Sequence, residues 1–515
     1  MLCFSVYSGG KPADSVDLGG AYLVGSDNVP LRAEIEYRKG QLVCSKRTAG
    51  PAALALLWPV PGMGRILLET TRLPERQKPY ILPVELLRGR LMRMINKVEE
   101  WQQFDPEAAM DDLVAIRQCR AVLVEALNQD DPAAASVIAE QGLADAVRVG
   151  EEMVLRLAQV CYGRRRRQPQ IAPRRPFGCT LDIRNGSEVY RRHLASAFDF
   201  AAIPFSWQNI QPSEQQFNWK PVDTWVEWLS RNRIPTRGTT LVSLDERNVP
   251  PWVYVWEHDF ETLRDLIAEH VRRVVRRYSN HISMWDVISG IHAENCLSFN
   301  FEQLMELTRM AVAITKQLCP RSVVNIDLVA PWGEYYARNQ RTIPPLLYAD
   351  MAIQSGINFD GFGLQIYLGL GLDGMYVRDF FQISALLDRF AALGKPIHIT
   401  AVQVPSSMET NRGDAWGGQK KVADGGQWRE DWSEELQARW LRGFYELALS
   451  KPIIESVTWR CLSDQPGHFL PNGGLLRADL TPKPAYENLV AMRKELLANG
   501  RSGRTVPTAG RPTQG

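Results

Sequence analysis

The chain has 515 residues, of which 45% are hydrophobic and 23% charged, so we expect a globular protein of two or three domains. Its formal net charge of +2 gives no indication of a nucleic-acid partner, and no apolar run is long enough to span a membrane. The cysteines have no CxxC or metal-ligand spacing, and the N-terminus lacks the basic and apolar regions of a secretion signal. These features predict free thiols and a cytoplasmic location.

Residues 1–82 are predicted to form a small antiparallel β domain with a sandwich-like arrangement. Hydrophobic and polar residues alternate on both sides of a turn at Lys39-Gly40, and two apolar runs follow, at 52–60 and 66–73. Some small β domains bind carbohydrate, but no row of exposed aromatic residues is evident. Structural packing is therefore the preferred interpretation.

Residues 83–163 are predicted to form a helical segment of about three helices. Hydrophobic residues recur at helical spacing, and Asp105-Pro106 and Asp131-Pro132 each place a capping carboxylate before a proline at the first helical position. The basic segment 164–176 is interpreted as a solvated linker between domains. The segment 498–515, rich in Gly, Arg, Thr and Pro, is predicted to be a disordered tail.

From residue 177 to residue 497 the sequence alternates short apolar strands with amphipathic helices, which predicts an α/β fold of the (β/α)8 TIM-barrel type. A doubly wound open sheet is the alternative, but it would need a Gly-rich phosphate-binding turn, which the sequence lacks. In a barrel, functional residues lie on the loops that follow the strands. The predicted strands are Phe177–Leu181, Phe200–Phe205, Pro235–Val242, Ser283–Ile288, Val323–Leu328, Gly361–Ile366, Pro396–Ala401 and Ser456–Arg460.

Several segments of this barrel resemble family 10 glycoside hydrolases, the xylanase family, in order and spacing. They correspond to the family patterns EPxxGxFNF, RGHTLVW, LPxWV, WDVVNE, DGIGxQ and ITELD, followed by a closing pattern. The resemblance covers the barrel only and implies a TIM barrel that acts on or binds carbohydrate. The segments are Gln211–Trp219, Arg237–Val242, Val249–Val253, Trp285–Gly290, Asp360–Gln365, Ile399–Gln403, Val457–Trp459, Gly474–Leu476 and Pro482–Tyr486.

The resemblance also implies that both catalytic glutamates of the family are replaced. The acid/base glutamate ends the WDVVNE pattern, and its position in this chain is Gly290. The nucleophile is the third residue of ITELD, and its position is Ala401. Retaining glycosidases need two carboxyl groups about 5–5.5 Å apart. Since glycine and alanine carry no carboxyl group, the family mechanism is predicted to be lost at these positions.

Other loop residues are candidates for a relocated site. Glu294 lies shortly after Gly290, and Glu334 lies among aromatic residues, a setting that can raise a carboxyl pKa. A solvated or salt-bridged carboxylate is the alternative for each of them. No His/Asp/Glu trio at metal spacing and no phosphate-binding loop is evident, so no metal or cofactor is expected. The candidate ligand-binding residues are Trp207, Trp332, Gln365, Tyr367, Gln403 and Trp459.

Three hypotheses follow from the sequence. The first is a non-catalytic or weakly active relative that binds a carbohydrate or another small ligand at the barrel mouth. The second is a glycoside hydrolase whose relocated carboxylates are Glu294 and Glu334. The third is an interaction or assembly protein that works through residues 1–163 and the barrel exterior. The sequence does not predict the oligomeric state.

Overall fold

The computed structural model describes residues 1–101, 106–168, 171 and 174–502. The first part of the chain folds into short strands, which pair in the orders β10-β1-β7-β6, β9-β8-β4-β5 and β2-β3. Because β1 pairs with β10 in parallel, the first of these sheets is mixed rather than wholly antiparallel. The strands are β1 (Leu2–Ser5), β2 (Tyr7–Ser8), β3 (Lys11–Pro12), β4 (Tyr22–Val24), β5 (Pro30–Leu31), β6 (Ala33–Arg38), β7 (Gln41–Lys46), β8 (Ala53–Val60), β9 (Gly64–Glu69) and β10 (Tyr80–Ile81).

Helices α1 (Leu82–Trp101), α2 (Pro106–Leu127) and α3 (Pro132–Arg167) follow in the described chain. The Asp131 side chain accepts hydrogen bonds from the first-turn amides of α3, with Pro132 beginning the helix, as the sequence predicts. Asp105, the other predicted cap, lies outside the described residues. Helix α3 is longer than expected because it continues through the arginine run that was interpreted as linker.

Arg165 shows why that part of the linker interpretation is wrong. Its side chain is 5% exposed, and its guanidinium donates hydrogen bonds to backbone carbonyls of the barrel. The acceptors are Leu449 at 3.0 Å, Lys451 at 2.8 Å, Pro452 at 3.2 Å and Ile454 at 2.9 Å. Arg165 is therefore a buried residue that anchors α3 to the barrel. Its burial is not evident from the sequence, because Arg165 lies within a run of four arginines.

Eight of the described strands close into a parallel barrel in sequence order, which confirms the predicted fold class. The strand boundaries differ by one to a few residues from the prediction. For example, the third strand ends at Thr239 instead of Val242, because Thr240 has a positive φ of 58°. The barrel strands are β11 (Phe177–Thr180), β12 (Phe200–Pro204), β13 (Thr236–Thr239), β14 (Met284–Ser289), β15 (Val323–Leu328), β16 (Gly361–Tyr367), β17 (Ile397–Gln403) and β19 (Ile454–Trp459), with β18 (Gln427–Trp428) in the long loop that follows β17.

A helix follows each barrel strand and covers the outside of the barrel. Several of these helices begin at clear signals, such as the capping box of Asn300 with Gln303 and that of Asp379 with Gln382. The helices are α4 (Glu188–Ala197), α6 (Lys220–Arg231), α7 (Phe260–Tyr278), α8 (Phe301–Leu318), α10 (Pro345–Gln354), α11 (Phe380–Ala391), α12 (Glu434–Ser450) and α13 (Pro484–Ser502), with short α5 (Trp207–Ile210) and α9 (Tyr335–Arg338) in loops.

The N-terminal strands pack directly against the barrel. Alternate residues of β8 face two sides: Leu54 and Leu56 join the large core, while Ala55 and Leu57 form a second apolar cluster that includes Tyr376 of the barrel. Strand β18, which belongs to a barrel loop, pairs antiparallel with β9 and extends its sheet. The predicted separate sandwich of residues 1–82 is thus completed by a strand from the barrel.

The barrel interior contains a buried ion pair. The Arg237 Nε donates to Asp286 Oδ2 at 2.6 Å, and the Asn325 amide donates to Asp286 Oδ1 at 3.2 Å. This network ties β13, β14 and β15 together. At the C-terminus, α13 extends to Ser502, into the segment predicted as a tail, and residues 503–515 lie outside the described part of the chain. Among the described helices, none is long and apolar enough to cross a membrane.

Candidate functional site

The end of β14 turns sharply and brings Glu294 over the mouth of the barrel. Gly290 follows the strand with a φ of 71°, a conformation that favours glycine. Its carbonyl oxygen accepts hydrogen bonds from the amides of Ala293 and Glu294, both at 2.9 Å. A Cβ built on Gly290 would lie 3.5 Å from Glu294 Oε2. The carboxyl group of residue 294 therefore lies directly beside the place where a side chain at position 290 would begin.

The surroundings of Glu294 favour its protonated form. Burial, followed by the charge of Asp245, raises the pKa of this carboxyl to about 7, against the opposing effect of Arg247 and Arg460. The side chain is only partly exposed. Within the described residues its carboxylate makes no hydrogen bond or ion pair, so it is available to a ligand. A carboxyl group that titrates near neutral pH can donate a proton at physiological pH.

A second buried carboxylate lies inside the barrel, below the mouth. Asp327 of β15 is fully buried and accepts hydrogen bonds from Ser289 at 2.7 Å, from Gln365 and from Thr400. Burial, followed by the charge of Asp286, raises the pKa of Asp327 to about 6, against the opposing effect of its three donors. Because Asp327 has no exposed surface, it organises β14, β16 and β17 instead of reaching into the solvent.

Sequence reasoning missed Asp327, although a signal was present. In the run Val323–Leu328, Asn325 and Asp327 stand at alternate positions of an otherwise apolar strand, so both side chains face the same side.

Ala401 of β17, the position of the family's nucleophile, is 1% exposed, and its side chain is a methyl group. No carboxylate is therefore supplied by β17 itself.

A cavity of about 500 Å³ opens at the carboxyl ends of the first, second, third and eighth strands. Its polar lining includes two ion pairs within single loops. Arg184 contacts Asp182 at 2.9 Å, and the Arg247 Nε donates to Asp245 Oδ2 at 3.0 Å. Arg460, at the end of β19, lines the same cavity. Arg247 was not among the predicted site residues, because its loop shows no recognisable motif.

Aromatic rings form one side of the mouth. Tyr367, at the end of β16, has its ring centroid 4.5 Å from that of Phe469, and Phe469 lies 5.0 Å from Trp416. The Tyr367 hydroxyl donates to Gln365 Oε1 at 3.0 Å, which joins this group to the Asp327 network. Phe469 and Trp416 are partly exposed and belong to the loops after the last two strands. Partly exposed rings of this kind are suited to stacking against sugar rings.

Three predicted ligand-binding residues lie in the core instead. Trp207 is 6% exposed and stacks on His270 at 5.2 Å between centroids. Trp459 is fully buried and donates its indole N–H to the Gly473 carbonyl at 3.1 Å. Gln403 is also fully buried. Their burial argues against the predicted ligand contacts, because Trp459 and Gln403 have no accessible surface and Trp207 has very little. Tyr367 is also buried, with 5% exposure, and contacts the mouth through the Phe469 ring.

Glu334 and Trp332 belong to the contact between the barrel and the N-terminal strands. The Glu334 carboxylate is fully buried and pairs with Arg378 at 2.9 Å. The Arg378 guanidinium lies 4.2 Å from the centroid of the Trp332 ring and also contacts Tyr22 of β4. Neither Glu334 nor Trp332 lines the cavity at the mouth. The structure thus supports the salt-bridged interpretation of Glu334 over the catalytic one.

No group of three or more His, Cys, Asp or Glu side chains in the described chain could hold a metal ion. The structure brings together Glu294, Gln365 and Tyr367 from the predicted set, in the region of the mouth. The same region also contains residues that were not in the predicted set, namely Asp245, Arg247, Arg460, Trp416 and Phe469.

Comparisons with known proteins identify a family and several similar proteins. The family model described as Glycosyl hydrolase family 10 matches residues 201–492. Endo-1,4-beta-xylanase B of Thermotoga neapolitana is 24% identical over 299 residues, which cover 56% of this chain and 79% of the relative. Endo-1,4-beta-xylanase 3 of Hypocrea jecorina is 28% identical over 291 residues, covering 56% and 72%. The solved structure of GH10 from Paenibacillus barcinonensis has a TM-score of 0.48 at 18% identity and covers 63% of this chain and 96% of that one. Since the family model spans more than half of the sequence, this chain belongs to glycosyl hydrolase family 10.

Proposed function

We propose that the barrel mouth binds a carbohydrate and that the chain does not use the retaining mechanism of its family. The relatives named above are xylanases, so β-1,4-linked xylose oligosaccharides are the first ligands to test. The observation that carries the proposal is the pairing of a ligand-sized cavity and partly exposed rings with the absence of a carboxyl group at Gly290 and Ala401.

The chemistry of retention explains why these two positions matter. The mechanism needs a nucleophilic carboxylate that attacks the anomeric carbon and a second carboxyl group that protonates the leaving oxygen. Asp327 is the buried carboxylate near the nucleophile position, because it accepts a hydrogen bond from Thr400, the residue before Ala401. Its oxygens accept three side-chain hydrogen bonds, and it has no exposed surface with which to meet a sugar. It therefore does not replace the nucleophile.

One observation favours a second candidate function, a hydrolase with a relocated general acid. Glu294 Oε2 lies 3.5 Å from the Cβ position of residue 290, and its pKa of about 7 suits proton donation to a leaving oxygen. Asp245, whose charge raises that pKa, would be the second carboxylate and would activate a water, as in an inverting enzyme. Asp245 forms an ion pair with Arg247 of the same loop. In this candidate Asp245, not Glu334, is the partner of Glu294.

Isothermal titration and product analysis on the full chain separate the two functions. Xylo- and cello-oligosaccharides are titrated into the wild type, and the same mixtures are then analysed by chromatography for shorter sugars. Binding without cleavage supports the first proposal. Cleavage that is lost in Glu294→Gln but kept in Glu214→Gln, an exposed control, supports the second. If none of the oligosaccharides binds, the proposal of a carbohydrate site is overturned.

A further inference from the structure

The cavity at the mouth contains one arginine, Arg460, that forms no ion pair with a carboxylate of the described residues. Arg184 and Arg247 are each paired with an aspartate in their own loop. Arg460 makes no side-chain hydrogen bond or ion pair with any residue that the structure describes. The cavity therefore presents a guanidinium group with its donors unused.

A backbone hydrogen bond and an aromatic contact hold Arg460 in place, and neither of them is an ion pair. It follows Trp459 at the end of β19, and its backbone amide donates to the Val402 carbonyl at 3.2 Å. Its guanidinium lies 5.5 Å from the centroid of the Phe469 ring. This cation–π contact uses none of the N–H donors of the guanidinium. Its side chain is only partly exposed, so the charge is incompletely hydrated.

The position of Arg460 next to the aromatic side of the mouth limits the ligands that would use it. A sugar ring stacked on Phe469 or Trp416 would bring its substituents close to this guanidinium. A neutral hydroxyl group would satisfy only part of its donors. A carboxylate would accept two parallel N–H bonds from it and would neutralise its charge.

Building on the carbohydrate-binding function proposed above, we propose that the natural ligand is an acidic oligosaccharide whose uronic acid carboxylate binds to the guanidinium of Arg460. Arg460 is then a specificity-determining residue that distinguishes acidic from neutral sugars. The aspartates that line the cavity do not oppose this, because Asp182 and Asp245 are already paired with Arg184 and Arg247.

The test compares two ligands that differ only in the carboxylate. A neutral xylo-oligosaccharide and the same oligosaccharide carrying a glucuronic acid unit are titrated into the full-length protein at about pH 6, where Glu294 with its pKa of about 7 is mostly protonated. The acidic ligand is expected to bind about 10- to 100-fold more tightly, the range for a hydrogen bond to a charged group. The methyl ester of the acidic ligand is expected to bind no more tightly than the neutral ligand.

Variants identify the residue responsible. Arg460→Gln is expected to reduce affinity for the acidic ligand to that for the neutral one, and Arg460→Lys to retain part of the preference, since lysine keeps the charge but not the planar fork. Arg192→Gln, which removes the same charge from an exposed position of α4 outside the cavity, is expected to keep the full preference.

Three results would overturn the inference. Equal affinity of the wild type for the acidic and neutral ligands would remove it while leaving the proposed carbohydrate site intact. An equal loss of affinity for both ligands in Arg460→Gln would show that Arg460 supports the ring of Phe469 and not a carboxylate. Failure of both ligands to bind the wild type would overturn the proposed function together with this inference.

Discussion

Replacing Glu294 by glutamine is expected to stabilise the protein at neutral and higher pH, with a gain that shrinks as the pH falls toward 4.5. The ordinary pKa of a glutamate side chain is 4.5, and that of Glu294 in the folded protein is about 7 because its carboxyl is partly buried and close to Asp245. Between these values the folded state binds more protons than the unfolded state. Stability therefore falls as the pH rises from 4.5 to 7, and the loss is complete above 7. Glutamine has nearly the same shape and carries no charge, so the variant avoids this loss.

The size of the effect follows from the same two pKa values. Their difference corresponds to about 3 kcal/mol in the free energy of unfolding when the side chain is fully charged. Because the Glu294 side chain is partly exposed, solvent screening reduces this figure, and we expect about 1–3 kcal/mol. Well below a pH of about 5 the difference is expected to vanish, since Glu294 is then protonated in both states.

The assay is urea unfolding of the wild type and of Glu294→Gln at about pH 4 and about pH 8, with equal m values as the condition for comparison. Glu214→Gln, at an exposed loop position, serves as the control and is expected to change stability by less than about 0.5 kcal/mol at both pH values. A variant that is less stable than the wild type at the higher pH would refute the reasoning. So would an equal gain at both pH values, because the effect would then not come from the ionisation of Glu294.

Three further predictions concern anchoring and binding. Arg165→Ala is expected to lower the free energy of unfolding by about 3–5 kcal/mol, because several carbonyls lose their hydrogen-bond donor. The control Arg167→Ala, at an exposed position of the same arginine run, is expected to change it little. Urea unfolding measures both variants. Glu334→Gln is expected to lower the free energy of unfolding by about 3–5 kcal/mol, because it leaves the charge of Arg378 buried and unpaired. Oligosaccharide affinity in titration calorimetry is expected to stay unchanged. Weaker binding without a loss of stability would indicate that Glu334 contacts the ligand. Trp416→Ala is expected to weaken oligosaccharide binding about 2- to 10-fold in the same titration, and unchanged affinity would exclude its ring from the site.

The barrel could be predicted from the sequence because its signals are local. Each strand is a short apolar run and each helix an amphipathic one, so the alternation from residue 177 onward is sufficient to identify the fold class. Strand ends are harder to predict, since they depend on backbone conformations such as the positive φ of Thr240. The extension of β17 to Gln403, beyond the predicted end at Ala401, also depends on its pairing with β16 and not on its own sequence.

The candidate site was predicted only in part, because its residues interact across long distances in the sequence. Glu294 could be proposed from its closeness to Gly290, since a turn of a few residues connects them. Glu334 could not be assigned correctly, because its partner Arg378 lies on another loop and its neighbour Tyr22 lies in the N-terminal sheet. Tryptophan residues were equally ambiguous: a sequence does not distinguish a ring that packs in the core, as Trp207 does, from one that reaches the mouth.

The contacts of the N-terminal third of the chain, residues 1–168, give it a role in shaping the mouth. Glu151 of α3 is fully buried and accepts hydrogen bonds from the Trp428 indole at 2.7 Å and from Arg429 at 2.8 Å. Both donors belong to the long loop after β17, which also carries Trp416, and β18 of this loop pairs with β9. The side chains that anchor this loop would be left unpaired and exposed in a barrel without residues 1–168. The N-terminal part therefore fixes the path of a loop that carries Trp416, one of the rings of the proposed ligand site.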